Sequence, residues 1–128
     1  MRTPDPRLKV KLQIFCGDEI AMGPGKADLL EAIEREGSIS GAGRAMGMSY
    51  RRTWLLVDAM NRCWDFPLVE TAMGGKQGGG ARVSELGKSI LLHYRNLQRD
   101  VASASDGQPL AAILTALRHI PKSSQQGS

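Results

Sequence analysis

The sequence is poor in cysteine, histidine and aromatic residues. Its 128 residues include two cysteines and two histidines, and aromatic residues make up 5% of the chain. The two cysteines, Cys16 and Cys63, cannot form a disulfide framework and match no zinc-binding spacing. Neither histidine stands beside a carboxylate at a ligand spacing. We therefore predict no metal site, no cofactor and no catalytic centre, and we do not expect an enzyme.

Long hydrophobic runs are absent as well. No stretch approaches the roughly 18 apolar residues that a membrane helix needs, and the first six residues contain no hydrophobic signal core. We expect a cytoplasmic protein with reduced thiols and no contact with membranes. With 41% hydrophobic and 23% charged residues, a chain of this length has room for one globular domain.

The glycine-rich segments do not match a nucleotide-binding loop. A Walker motif has glycine five positions before its Gly-Lys pair and serine or threonine directly after it. For the pair at Gly75 and Lys76, the earlier position is Glu70 and the following residue is Gln77. This spacing argues against a nucleotide site.

Positive charge is concentrated in the middle of the chain. The net charge is +4, but residues 37–99 contain nine basic and four acidic residues and carry a net charge of +5. Such a segment favours a polyanionic partner, because phosphate contacts supply most of the non-specific affinity for nucleic acids. An ordinary solvated surface is the alternative interpretation.

The first 37 residues predict a β-hairpin and a helix. Apolar and polar residues alternate over residues 8–15, which is typical of a half-buried strand, and residues 19–22 can return as a second strand. A helix is expected between Pro24 and Gly37. Its predicted buried side consists of Ala27, Leu29, Leu30, Ala32 and Ile33.

Two further helices are predicted around a glycine-containing turn. A short helix is capped by Ser38 or Ser40 and stopped by Gly47, and a longer one begins at Ser49 and runs to about Trp64. This order is typical of a helix-turn-helix, and small residues in the short helix permit a close crossing. An ordinary helical hairpin is the alternative.

A second hairpin is predicted beyond this pair of helices. Residues 68–71 and 81–83 can form two short strands on either side of a glycine-rich tip, residues 74–80. Lys76 and Arg82 would lie on such a wing and contact phosphates, and its glycines permit a close approach of backbone amides to an anion.

Two helices are predicted in the last third of the chain. The first begins after Ser84 and has apolar residues at nearly heptad spacing, so it can pair with a second copy of the chain or pack on its own core. A loop over residues 103–109 and an amphipathic helix follow. The candidate dimerisation residues are Ile90, Tyr94, Leu97, Val101, Leu110, Ile113, Leu114 and Leu117.

The helix-turn-helix and wing segments resemble the ModE family of molybdate-responsive transcription regulators. The resemblance is carried by Gly37-Ser38-Ile39-Ser40-Gly41-Ala42-Gly43-Arg44 with Met48-Ser49-Tyr50-Arg51-Arg52-Thr53-Trp54, and by the wing segments 67–70, 74–76 and 78–87. It covers residues 8–102. The DNA-binding part of ModE is similar to that of LysR-type regulators.

The resemblance implies a mainly α protein with small β-sheets, a winged helix-turn-helix that dimerises on a palindromic operator. The helix beginning at Ser49 would enter the major groove, where either Arg51 or Arg52 can grip a guanine. Trp54 is interpreted as a core residue. The candidate DNA-binding residues are Ser38, Ser40, Ser49, Tyr50, Arg51, Arg52, Thr53, Lys76 and Arg82.

The chain departs from the family in its length. ModE proteins continue into small β-barrel domains that bind molybdate, whereas residues 103–121 predict a linker with a short helix and residues 122–128 a disordered tail. We therefore expect no molybdate binding. The resemblance predicts a DNA-binding regulator of molybdenum transport or molybdoenzyme genes. A protein-interaction module and a non-specific DNA-binding protein are the alternatives.

Overall fold

The computed structural model describes residues 6–72 and 80–126, which contain five helices and four short strands. These residues belong to two compact units. Of the described residues, 11–72 and 80–98 belong to the larger unit, and 6–10 and 99–126 belong to the smaller unit. The predicted tip of the wing, with Lys76, lies outside the described residues.

The first hairpin is shorter and more exposed than its sequence pattern predicts. Strand β1 covers Ile14–Cys16 and pairs with β2, Glu19–Met22, through a turn in which Gly17 has a φ of 58°. The predicted half-buried strand over residues 8–15 is therefore wrong. All three residues of β1 are exposed, because a two-stranded ribbon offers them no second layer to pack against.

Helix α1, Pro24–Glu36, forms as predicted. Proline in the first turn starts it, and Gly37 ends it with a φ of 73° and an N–H that donates to the Ile33 carbonyl oxygen at 2.9 Å. All five residues of its predicted buried side are in the core. Helix α1 thus forms one wall of the hydrophobic core of the larger unit.

The two helices after α1 confirm the predicted helix-turn-helix. Helix α2 covers Ile39–Ala45 and helix α3 covers Tyr50–Arg62. The Ser38 hydroxyl oxygen accepts a bond from the Gly41 N–H at 3.0 Å. The Ser49 hydroxyl oxygen accepts one from the Arg52 N–H at 3.1 Å. The intervening turn contains a glycine with a φ of 69°, so side-chain caps and this turn set the bounds of both helices.

The second hairpin is held by hydrogen bonds to one residue of α3. Strands β3, Val69–Thr71, and β4, Ala81–Val83, pair antiparallel as predicted. The Asn61 side chain of α3 accepts from the N–H groups of Leu68 and Val69 at 2.9 and 3.1 Å, and it donates to the Val69 carbonyl oxygen at 3.0 Å. The base of the hairpin is therefore tied directly to the end of α3.

The last two helices differ from their predicted bounds. Helix α4 covers Glu85–Ser105 and therefore continues into the predicted loop over residues 103–109. Helix α5 covers Gln108–Ala116 and ends before Leu117, the last of the predicted dimerisation residues. The Ser84 hydroxyl oxygen caps α4 by accepting from the Gly87 N–H at 3.0 Å. Residues 122–126 form neither helix nor strand.

Within the described ranges, no helix is long and apolar enough to cross a membrane. The same residues contain no cluster of three or more histidine, cysteine or acidic side chains that could hold a metal ion.

Candidate nucleic-acid interface

The first turn of α3 presents a basic surface. Tyr50, Arg51 and Arg52 directly follow the Ser49 cap and are all exposed, and this turn contains no acidic residue. The N–H groups at the start of a helix carry a partial positive charge. These groups and the two guanidinium groups therefore form a positively charged helix end that can approach a phosphate backbone or a base edge.

Helix α2 contributes caps and smaller polar groups beside this surface. The Ser38 hydroxyl oxygen is engaged by the Gly41 N–H, so this residue shapes the helix, and Ser40 is half-buried. Arg44 is exposed in the last turn of α2. The first turn of α2, like that of α3, contains no acidic residue. The two helices of the motif thus present mainly neutral and positive groups.

Thr53 does not belong to the interface, contrary to the sequence interpretation. Its side chain has no exposed surface, and its hydroxyl donates to the Ser49 carbonyl oxygen at 2.8 Å. It faces Gly43 of α2 across the helix crossing. Thr53 therefore lies in the core because the first turn of α3 has an inner side as well as an outer one.

Trp54 is exposed although the sequence interpretation placed it in the core. The side chain retains 37% of its accessible surface and meets Tyr50, which is 62% exposed, edge to face with ring centroids 6.1 Å apart. Residues four positions apart lie on one side of a helix, so the two rings share one side of α3. The residues of α3 that are buried in the core include Thr53, Val57 and Met60.

The described part of the wing contributes one basic side chain. Arg82 is highly exposed on β4, but its Nε donates to a Glu70 carboxylate oxygen at 3.3 Å across the hairpin. The two residues face each other in the strand register. A phosphate contact by Arg82 would therefore compete with this exposed ion pair.

The candidate dimerisation residues of α4 divide between core and surface. Tyr94 is buried, with 2% of its surface exposed, and its hydroxyl donates to the Leu12 carbonyl oxygen at 2.8 Å. The prediction that Tyr94 lies in a dimer interface is therefore wrong, since Tyr94 belongs to the core of the larger unit. Ile90 also packs partly on that core, whereas Leu97 is exposed.

The candidates in the smaller unit remain at or near the surface. No residue of α5 is buried, although the helix is composed mostly of apolar residues. Ile113 and Leu117 are exposed, and Val101, Leu110 and Leu114 are half-buried. This apolar surface is available to a partner.

Both cysteines are free thiols. Cys16 on β1 is exposed, and Cys63 at the end of α3 is half-buried. Burial raises the pKa of the Cys63 thiol, and the nearby Cys16 and Glu19 raise it further. A raised pKa leaves the thiol protonated, which is the opposite of an activated nucleophile.

Sequence reasoning missed two residues that shape the interface. Trp54 was missed because tryptophan at helical spacing is usually a core residue, and only the neighbouring elements decide which side is covered. Asn61 was missed because its three hydrogen bonds reach strand β3, and no sequence pattern reports such a contact.

Curated proteins with similar sequences include several that are named ModE. The chain is 42% identical over 86 residues to the molybdenum transport protein ModE of Azotobacter vinelandii, which covers 67% of this chain and 32% of that protein. It is 34% identical over 116 residues to the dual transcriptional regulator ModE of Escherichia coli K12, covering 86% of this chain and 42% of that protein. The chain therefore spans less than half the length of these relatives.

Among solved structures, the chain is similar to the full-length LysR-type regulator LysG of Corynebacterium glutamicum. The TM-score is 0.51 with 24% sequence identity, over 75% of this chain and 30% of that chain. No protein-family model matches the sequence. This likeness concerns the fold, and together with the helix-turn-helix and second hairpin it identifies a winged helix-turn-helix.

Proposed function

Because this chain is homologous to the amino-terminal part of the ModE regulators, we propose that it binds operator DNA and regulates transcription. The observation that carries the proposal is the first turn of α3. It presents Tyr50, Arg51 and Arg52 to solvent, with no carboxylate in that turn to repel a phosphate.

The two arginines have separate tasks in this proposal. One of them forms a bidentate pair with a guanine in the major groove, and the other contacts a phosphate. The hydroxyls of Ser40 and Tyr50 and the N–H groups of Tyr50 and Arg51 supply further contacts to the DNA backbone. Lys76 and Arg82 would bring the wing to the neighbouring phosphates.

The genes under control would be those of molybdenum transport or molybdoenzymes. This assignment is supported by the names of the relatives, which are a molybdenum transport protein and a transcriptional regulator of the same name. We assign no molybdate-binding, cofactor or catalytic role to residues 1–128. The protein would act in the cytoplasm, where DNA is available to it.

Homodimer formation is part of the proposal. A palindromic operator requires two copies of the reading helix, and exposed apolar residues that can join them include Leu97 on α4 and Ile113 and Leu117 near α5. The organisation would be a DNA-binding domain over residues 8–102, followed by the end of α4, the short helix α5 and a tail.

Binding to the protein's own promoter region, compared with a scrambled duplex of equal composition, tests the proposal. Fluorescence anisotropy would be measured at about physiological salt with and without molybdate, since salt strongly changes such affinities. We expect selective binding that does not change with molybdate. Binding that responds to molybdate would contradict our expectation that residues 1–128 do not bind molybdate.

Variants of α3 identify the surface that is used. Arg51→Ala and Arg52→Ala are each expected to weaken promoter binding at least about fivefold. Arg35→Ala is the matched control, because Arg35 is exposed on α1 among acidic residues and should leave affinity unchanged. Equal loss in the control would mean that overall charge, and not this surface, drives binding.

A second candidate function is a protein-interaction module, such as a partner or antagonist of a full-length regulator. It is favoured by the apolar helix α5, which has no buried residue. A module of this kind would bind promoter and scrambled DNA equally weakly and would keep its protein partner in the Arg51→Ala variant. Equal but strongly salt-dependent binding to both duplexes would indicate non-specific DNA binding.

A further inference from the structure

An aromatic notch lies between the helix-turn-helix and the base of the wing. It has a volume of about 270 Å³, and its lining includes Ile39 and Ser40 of α2, Tyr50 and Trp54 of α3, and Thr71 and Ala81 at the facing ends of β3 and β4. All of these residues belong to the larger unit. The notch is therefore built by the three elements that surround the proposed DNA-reading helix.

The walls of the notch combine polar groups of Ser40 and Thr71 with an aromatic pair, and charged residues lie beside it in the sequence. Tyr50 and Trp54 meet edge to face, and Ile39 is almost fully buried at the edge of the core. Arg51 and Arg52 follow Tyr50 directly and are exposed. The exposed aromatic pair therefore offers an apolar surface directly beside two guanidinium groups.

Duplex DNA offers one apolar group in the major groove, the 5-methyl group of thymine. Aromatic and aliphatic side chains contact it, and this contact distinguishes thymine from cytosine. A group of this size enters a notch of the observed volume with room for an adjacent water. The flanking arginines attract the phosphates of the same duplex, so charge and apolar contact favour the same partner.

We propose that Tyr50 and Trp54 read the 5-methyl group of a thymine in the operator. The inference rests on the proposed function and adds a base preference to it, because the arginines alone account for guanine and phosphate contacts. The Ser40 and Tyr50 hydroxyls lie at the same notch and donate to a neighbouring phosphate or thymine oxygen. Trp54 is thus a specificity-determining residue.

The test uses one promoter fragment prepared with thymine and again with uracil at every thymine position. Uracil pairs like thymine and lacks only the methyl group. We expect the wild-type protein to bind the uracil duplex about fourfold more weakly per methyl contact, and about fifteenfold more weakly if both halves of a dimer use one. No variant has to fold for this measurement.

Variants then assign the effect to the notch. Trp54→Ala should bind the thymine and uracil duplexes equally, whereas Tyr50→Phe keeps the ring and should retain discrimination. Phe15→Ala is the matched control, because Phe15 is a highly exposed aromatic on β1, outside the notch. It should discriminate between the two duplexes as the wild type does.

The outcomes separate this inference from the proposed function. If the protein selects its promoter but binds both duplexes equally, the notch does not read thymine and the regulator proposal stands. If it selects no promoter at all, both proposals fail. If Trp54→Ala retains the wild-type discrimination, the methyl group is read elsewhere and the inference is overturned.

Discussion

Gly43 of α2 lies so close to Thr53 of α3 that a Cβ atom on the glycine would overlap with the Thr53 hydroxyl. That hydroxyl is already bonded to the Ser49 carbonyl oxygen, and Thr53 has no exposed surface into which it could turn. The crossing of the two helices therefore depends on the absence of a side chain at position 43.

Gly43→Ala is expected to lower the free energy of unfolding by about 1 to 3 kcal/mol, because an added methyl group must displace packed atoms. Urea unfolding measures the change. Thr53→Ala in the same chain should recover part of it, since the hydroxyl that obstructs the methyl group is gone. Gly25→Ala is the control: a Cβ there meets no atom within 4 Å and should be neutral or stabilising.

Asn61→Ala should destabilise the protein by about 2 to 3 kcal/mol, since it leaves the Leu68 and Val69 backbone groups without their partner. The wing hairpin begins at these residues, so promoter affinity should fall as well. Thermal unfolding and anisotropy report the two effects. Gln13→Ala, at an exposed position, should change stability by less than about 0.5 kcal/mol. Unchanged stability in Asn61→Ala would contradict the anchoring role.

Two arginines that each bridge two carboxylates should differ in importance. Arg95 of α4 is only 23% exposed and bonds Glu31 and Asp28 of α1 at 2.6 and 2.7 Å. The hydrogen bond to Glu31 raises the pKa of this guanidinium, which stays charged. Arg95→Ala should cost about 1 to 2 kcal/mol after allowance for solvent screening.

The second arginine, Arg62, bonds Glu19 and Asp58 at 2.7 and 2.8 Å, but all three side chains are exposed to water. Arg62→Ala should therefore change urea unfolding little. If Arg62→Ala lowered the free energy of unfolding more than Arg95→Ala does, burial would not decide the strength of these ion pairs.

Tyr94 should make the protein sensitive to alkaline pH. Burial raises the pKa of its phenol above the ordinary value for tyrosine, and the neutral hydroxyl donates to the Leu12 carbonyl oxygen. Its stabilising contribution is fully present below pH 10 and is lost as the pH rises through the folded-state pKa. Tyr94→Phe should lower the stability at neutral pH by about 1 kcal/mol. The variant should also flatten the alkaline decline in denaturant titrations, and an unchanged decline would contradict this assignment.

Glu70→Gln should strengthen promoter binding. The carboxylate pairs with Arg82 on the wing and opposes a nearby phosphate, so its removal frees the guanidinium for DNA. Because the pair is exposed, we expect a gain of up to about fivefold. Glu85→Gln is a matched control on α4, where the exposed carboxylate pairs with Lys88 at 3.7 Å. Equal gains in both variants would indicate an effect of net charge alone.

The sequence alone determined the features that depend on local hydrogen bonds and periodicity. Ser49 caps α3 as predicted, and Ser38, one of two predicted candidates, caps α2. Gly37 ends α1, and the apolar repeat of α1 identifies its buried side. Each signal acts within one or two turns of the chain, so neighbouring residues suffice to read it. The same locality explains why the helix-turn-helix and the second hairpin were predictable.

Tertiary structure decided which surfaces are covered. Residues 8–15 alternate like a buried strand, yet β1 is exposed because no second layer covers it. Trp54 lies at the surface, whereas Thr53 and Tyr94 lie in the core, and Asn61 holds a strand that follows it in the chain. Burial depends on elements that are distant in sequence, and a single periodic pattern does not specify which of them will pack against it.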